Sequence, residues 1–107
     1  MAVTLRFRRL EPFGVEVSHD LSRPLAPSLA YHFGELLREH GVLAVPGQVL
    51  SEEALAALCA LRPGTQARSA PHDATGTIRL TQANGDVLAW PWQAGGVIFW
   101  DGDQVQA

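Results

Sequence analysis

The segment GVLAVPG, Gly41 to Gly47, limits the possible folds of this chain more than any other. It is an apolar run of strand length, stopped by Pro46 and Gly47, and it lies between two stretches with helical patterning. Upstream, Leu29, Phe33, Leu36 and Leu37 recur at helical spacing, with Glu35, Arg38 and Glu39 on the opposite side. Pro24 and Pro27 deny the preceding backbone regular hydrogen bonds and set a helix start near Ser28, and Gly41 ends that helix. Downstream, Ser51 is a good N-cap, and Glu52 and Glu53 suit the positive end of a helix dipole. Leu55, Leu58 and Leu61 then form an expected buried stripe before Pro63. A strand placed this way is read as central, with amphipathic helices packed on its sheet.

The flanking sequence supplies further strands. Val3 to Phe7 alternates, and Gly14 to Ser18 alternates again after a break at Glu11, Pro12, Phe13 and Gly14. Arg6 and Arg8 share one face of the first run and Leu5, Phe7 and Arg9 the other, which reads as a solvated edge strand. Residues 64–76 are rich in Gly, Pro, Ser, Thr and Ala without periodicity and are expected to be a loop. Thr77 to Gln82 and Val87 to Trp92 flank Asn84-Gly85, the pair best suited to the positive φ angles of a tight hairpin. A turn at Ala94-Gly95-Gly96 then leads into Val97 to Trp100, predicting a three-stranded meander. The fold class expected is α+β: two helices packed on a small, mainly antiparallel sheet, in a single domain spanning 1–107.

Composition removes several classes of function. A chain of 107 residues with 47% hydrophobic and 18% charged residues can bury one core and lacks the signature of a disordered chain. The net charge of −3 without a basic cluster gives no electrostatic case for nucleic acid. No apolar run reaches the roughly 20 residues of a membrane span, and no signal-peptide core is seen, so a cytoplasmic location is the default expectation. Cys59 is the lone cysteine, so no intramolecular disulfide can form. Its Ala/Leu-rich surroundings read as those of a small buried hydrophobe.

Three stretches together resemble the TauD/TfdA family of iron(II)/2-oxoglutarate dioxygenases. FGVEVSHDLSRPL (Phe13 to Leu25) is similar to the family's amino-terminal strand running into Asp-Leu-Ser-Arg-Pro-Leu. EHGVLAVPGQVLSEE (Glu39 to Glu53) resembles its helix end, central strand and next helix start. WPWQAGGVIFWDGDQVQA (Trp90 to Ala107) is similar to its carboxy-terminal strand pair, with Gly96 in place of the usual Asp, Gly102 of Asn and Asp103 of Arg. Ala107 then stands where the distal iron-binding His belongs. In a second register, PHDATGTIRLTQ and WDGD align near the proximal His-x-Asp motif, with Asp101 at the His position and Asp103 at the carboxylate. The first register matches more consecutive positions and accounts for the paired tryptophans. Both leave the iron site broken.

The resemblance divides the chain into 1–63, like the family's amino-terminal segment, a loop or deletion junction at 64–76, and 77–107, like its carboxy-terminal strands. It implies a partial double-stranded β-helix (jelly-roll) derivative in which iron(II) and 2-oxoglutarate binding are lost, so no cofactor and no metal site is expected. A 2-His-1-carboxylate triad fixes iron by geometry as well as affinity, and a missing ligand removes both. The adjacent pairs His19-Asp20 and His72-Asp73 would point to opposite faces of a strand. His40 suits the last turn of the first helix, and His32 its partly buried flank. Glu16 with Asp20 is an acid/base pair in principle, though Asp20 reads better as a turn anchor and Glu16 as solvent-facing.

Trp90, Trp92 and Trp100 admit two readings: three core tryptophans, or an exposed aromatic face that binds a small apolar ligand or a second copy of the chain. The function expected is a non-catalytic binding or interaction module that forms a homodimer. The alternative is an iron-independent isomerase, cyclase or lyase using Asp101, Asp103, Glu16 or His72 as general acid or base. A third is a dioxygenase whose site is completed by two chains.

Overall fold

The computed structural model describes residues 5–70, 76–91 and 96–107. Strand β1 (Phe7–Arg9) pairs antiparallel with β2 (Val15–Val17), after which helix α1 (Pro27–His40) crosses over to β3 (Val42–Pro46), parallel to β2. Helix α2 (Glu52–Cys59) follows, then β4 (Thr65–Ala70), β5 (Thr77–Gln82), β6 (Val87–Pro91), β7 (Gly96–Asp101) and β8 (Val105–Gln106). Five strands form one sheet in the order β1-β2-β3-β7-β4, and three form a second in the order β6-β5-β8. The α+β class is as expected from the sequence.

Strand alternation sorts the apolar residues into two cores that share the larger sheet. Leu43 and Val45 of β3 and Val97 and Phe99 of β7 face the helices, where they meet Leu29, Phe33, Leu36 and Leu37 of α1 and Leu58 of α2. The Phe33 and Phe99 rings meet edge to face at 5.2 Å. Val42 and Ala44, with Ile98 and Trp100, point the other way onto Ile78, Leu80, Leu88, Trp90 and Val105 of the smaller sheet. The result is three layers: helices, a large sheet, a small sheet. β3 is apolar throughout because both of its faces are covered. It is the central strand of its sheet.

The helix boundaries follow local chemistry. Pro27 occupies the first turn of α1, and Gly41, at φ +80°, closes it with its N–H donating to the Leu37 carbonyl at 2.8 Å. At α2 the Ser51 hydroxyl accepts from the Ala54 N–H at 3.1 Å. The Asn84-Gly85 hairpin forms between β5 and β6, Gly85 taking φ +95°.

Four expectations are corrected. Residues 65–70 are not loop but the edge strand β4, paired along all six residues with β7. Their composition is poor for a strand, yet the open edge of β7 offers a full ladder of backbone partners, and tertiary pairing overrides propensity. The three-stranded meander does not form, because β7 leaves the hairpin to lie between β3 and β4. A strand apolar on both faces needs cover on both, which a half-solvated hairpin does not give; β8 takes the place beside β5 instead. Val3 and Thr4 of the expected first strand lie outside the described residues, and the described strand is Phe7–Arg9, which runs beyond the expected end at Phe7 with all three residues exposed. Leu5 lies ahead of it, buried, its N–H donating to His32 Nδ1 at 2.9 Å. Leu61 is 41% exposed, since α2 ends at Cys59 and releases it from the buried stripe. The turn expected at Ala94-Gly95 lies outside the described residues.

Candidate functional site

The segment following β2 is fixed to the rest of the fold by two side chains. Asp20 Oδ1 accepts from both the Ser22 N–H (2.9 Å) and hydroxyl (2.6 Å), forming the turn anticipated at this residue. These hydrogen bonds hold its carboxyl below the ordinary range. Gln48, just after β3, reaches back to the same segment: its Oε1 accepts from the Leu21 N–H at 3.0 Å and its Nε2 donates to the His19 carbonyl. One amide thus satisfies a backbone donor and a backbone acceptor some thirty residues away, and it buries Leu21 in the helix-side core.

Pinned in this way, Leu21 to Leu25 forms one wall of a cavity of about 450 Å³. The other walls are Ala30 of α1 and, from α2 and its ends, Ser51, Glu53, Ala54, Ala57, Leu58 and Leu61. The lining is mainly aliphatic, and the alanines on α2 provide the space. Arg23 and Glu53 are the two charged groups on its wall. A volume of this size lies in the range of small-molecule sites. A second, more polar cleft of about 350 Å³ lies at the carboxy-terminal end of α1, lined by Arg9, Glu11, Phe13, Glu39, His40 and Gln82 among others.

The carboxylates proposed from sequence line neither cavity. Asp101, at the end of β7, is 1% exposed and fully engaged. Its Oδ1 accepts from the Asp103 N–H at 3.0 Å, and its Oδ2 from Gln104 Nε2 at 2.7 Å and Arg62 Nη2 at 3.1 Å. Burial pushes its pKa up, but the Asp103 N–H, the Gln104 amide and Arg62 together outweigh this and leave it lowered. Gln104 Nε2 also donates to the Arg38 carbonyl at 3.1 Å, so Asp101 ties the end of α1 to the β7–β8 turn and to the segment after α2. Glu16 pairs with Arg8 across β1 and β2 at 3.1 Å. Asp103 is exposed beside Gly64. Among these three, no acid and base converge. His72 lies outside the described residues.

In the second alignment register Asp101 and Asp103 stand at the positions of two of the family's iron ligands, and the surroundings of Asp101 do not suit it to such a role. Both oxygens of Asp101 are bonded to protein groups, one of them to a cation. Among the described residues, no three His, Cys, Asp or Glu side chains are grouped to hold a metal ion. His40 sits in the last turn of α1, as expected, and His32 accepts the Leu5 N–H. Burial pushes the Cys59 thiol up, away from thiolate chemistry.

Trp90 and Trp100 are 5% and 8% exposed and face each other's sheets across the second core. The reading of an exposed aromatic face is therefore corrected for these two, because the smaller sheet supplies the cover. Arg68 adds to it, its guanidinium carbon 5.9 Å from the Trp100 ring centroid. Trp92 lies outside the described residues. Sequence reasoning missed Gln48 and the alanine face of α2. Gln48 stands in the quoted GQVLSEE run, but nothing local signals a hydrogen bond to residues 19 and 21. Among the described residues, no helix is long and apolar enough to cross a membrane. No family model, no curated protein and no solved structure matches the chain.

Proposed function

We propose that this protein is a non-catalytic binding module of TauD/TfdA-like descent that holds a small, predominantly apolar ligand between the 21–25 segment, α1 and α2. The observation that carries this reading is the aliphatic cavity of about 450 Å³, whose walls come from three separate elements. Two of the three stretches resembling the family supply most of those walls: DLSRPL gives one side and VLSEE the start of α2.

Two positions that depart from the family pattern support the idea of a rebuilt remnant. A Cβ on Gly96 would lie 3.0 Å from the Val45 carbonyl oxygen and 3.1 Å from the Trp90 ring, and Gly96 takes φ +137°. A Cβ on Gly102 would lie 2.9 Å from the Gly64 carbonyl oxygen. Side chains at the places of the family's Asp and Asn are thus incompatible with the close approach of β3 and of residue 64 to this strand.

N-phenyl-1-naphthylamine, a neutral apolar fluorophore, tests the proposal. Its emission should rise on binding wild type and rise much less with Ala57→Trp, which places a bulky ring in the cavity from an exposed helix position. Equal emission from both proteins, or none from wild type, would contradict the reading.

A further inference from the structure

The two charges on the cavity wall define the ligand more closely, an inference that rests on the binding role just proposed. Arg23 comes from the segment after β2 and Glu53 from the first turn of α2, so they approach the cavity from different walls. They are not within 4.0 Å of each other as an ion pair, and neither makes a hydrogen bond or ion pair elsewhere among the described residues. The carboxylate that senses Arg23, Asp20, already accepts two hydrogen bonds from Ser22. The same cavity is lined by Leu21, Leu25, Ala54, Ala57 and Leu58.

A lone anion drawn to Arg23 would also meet the repulsion of Glu53, and a lone cation drawn to Glu53 that of Arg23. A molecule carrying both charges beside an apolar body satisfies all three features at once. We infer that the cavity takes a free hydrophobic amino acid, its carboxylate turned to Arg23, its ammonium to Glu53 and its side chain against the leucines and alanines. Leucine and phenylalanine both fit within the volume available. Selectivity then comes from the paired charges: both side chains are solvent-exposed, so either contact alone is weak, and a ligand that meets both at once is favoured over one that meets a single charge.

Competition against N-phenyl-1-naphthylamine on the full chain separates the possibilities. Leucine and phenylalanine should displace the fluorophore. The two halves of leucine, 4-methylpentanoate without the amine and isoamylamine without the carboxylate, should each bind about three- to fivefold more weakly. Arg23→Gln should weaken leucine and leave isoamylamine unchanged or improved; Glu53→Gln should weaken leucine and leave 4-methylpentanoate unchanged or improved. If either half-analogue competes as well as leucine, or leucine fails to displace a bound fluorophore, the amino-acid inference is overturned while the apolar cavity stands. If the fluorophore itself does not bind wild type, both readings fall together.

Discussion

Asp101 shows how a residue with catalytic credentials is used for construction. Its carboxylate gathers a backbone N–H, a side-chain amide and a guanidinium at a site with almost no solvent contact. Replacing it by Ala leaves those donors unmatched and should cost about 2–4 kcal/mol in denaturant unfolding. The pH dependence has a definite sign. The folded pKa lies below the ordinary 3.8, so the stabilisation is present above that value and is lost as pH falls through the folded pKa. Asp20 and Glu35 are shifted the same way, which makes the difference between proteins the informative quantity. Asp101→Asn should be less stable at neutral pH, and its deficit should shrink in acid; a deficit constant from pH 7 to 2 would show that the charge is not what stabilises this corner. Gly102 makes a second case at this scale. Gly102→Ala drives a methyl against the Gly64 carbonyl and should cost about 1–3 kcal/mol. In contrast, Gly34→Ala, on α1 with nothing within 4 Å of the new carbon, should stabilise by about 0.5–1 kcal/mol. Thermal denaturation of the two variants side by side checks both signs.

At the level of elements, the cavity depends on one long-range bridge. Gln48→Ala removes both hydrogen bonds to the 19–21 backbone and should lower stability by about 1–2 kcal/mol. Because Leu21 to Leu25 is also a cavity wall, fluorophore binding should weaken as well. Gln48→Glu, which keeps the acceptor for the Leu21 N–H but sets a carboxylate oxygen against the His19 carbonyl, should be no more stable than Gln48→Ala at neutral pH. Wild-type-like binding by Gln48→Ala would mean that the wall is held by Leu21 burial alone. This bridge marks the limit of what the sequence discloses. The helices were legible because their caps and stripes are local: Ser51, Gly41 and the Leu29–Leu37 pattern act within one or two turns. The Asn84-Gly85 hairpin was legible for the same reason. β4 was not, since its pairing is dictated by the free edge of β7 thirty residues later and not by Thr65-Gln66-Ala67-Arg68-Ser69-Ala70 itself. The cavity was hidden likewise, being a space between three elements whose separation no single segment encodes.

For the whole molecule, the decisive feature is that β3 and β7 serve two cores at once. Val42 and Ala44 pack on the smaller sheet while Leu43 and Val45 pack under the helices, and β7 divides its residues in the same way. Neither core can be opened without disturbing strands that hold the other, so the three layers should unfold together despite the two separate sheets. Leu37, on α1, and Leu80, on β5, are both fully buried and lie in different cores. Leu37→Ala and Leu80→Ala should each destabilise by about 2–5 kcal/mol. Each should move one common transition, with far-ultraviolet circular dichroism and tryptophan fluorescence changing at the same denaturant concentration. Trp90 and Trp100 sit only in the second core and report on it, whereas the helices report on the first. If Leu37→Ala lowered the helical signal while leaving the tryptophan transition in place, the smaller sheet would be folding independently of the helical layer, and the shared sheet would not be the coupling element. The sharing also predicts the order of hydrogen exchange: amides of β3 and β7, released only when both cores are lost, should exchange more slowly than those of the outer strands β1 and β6.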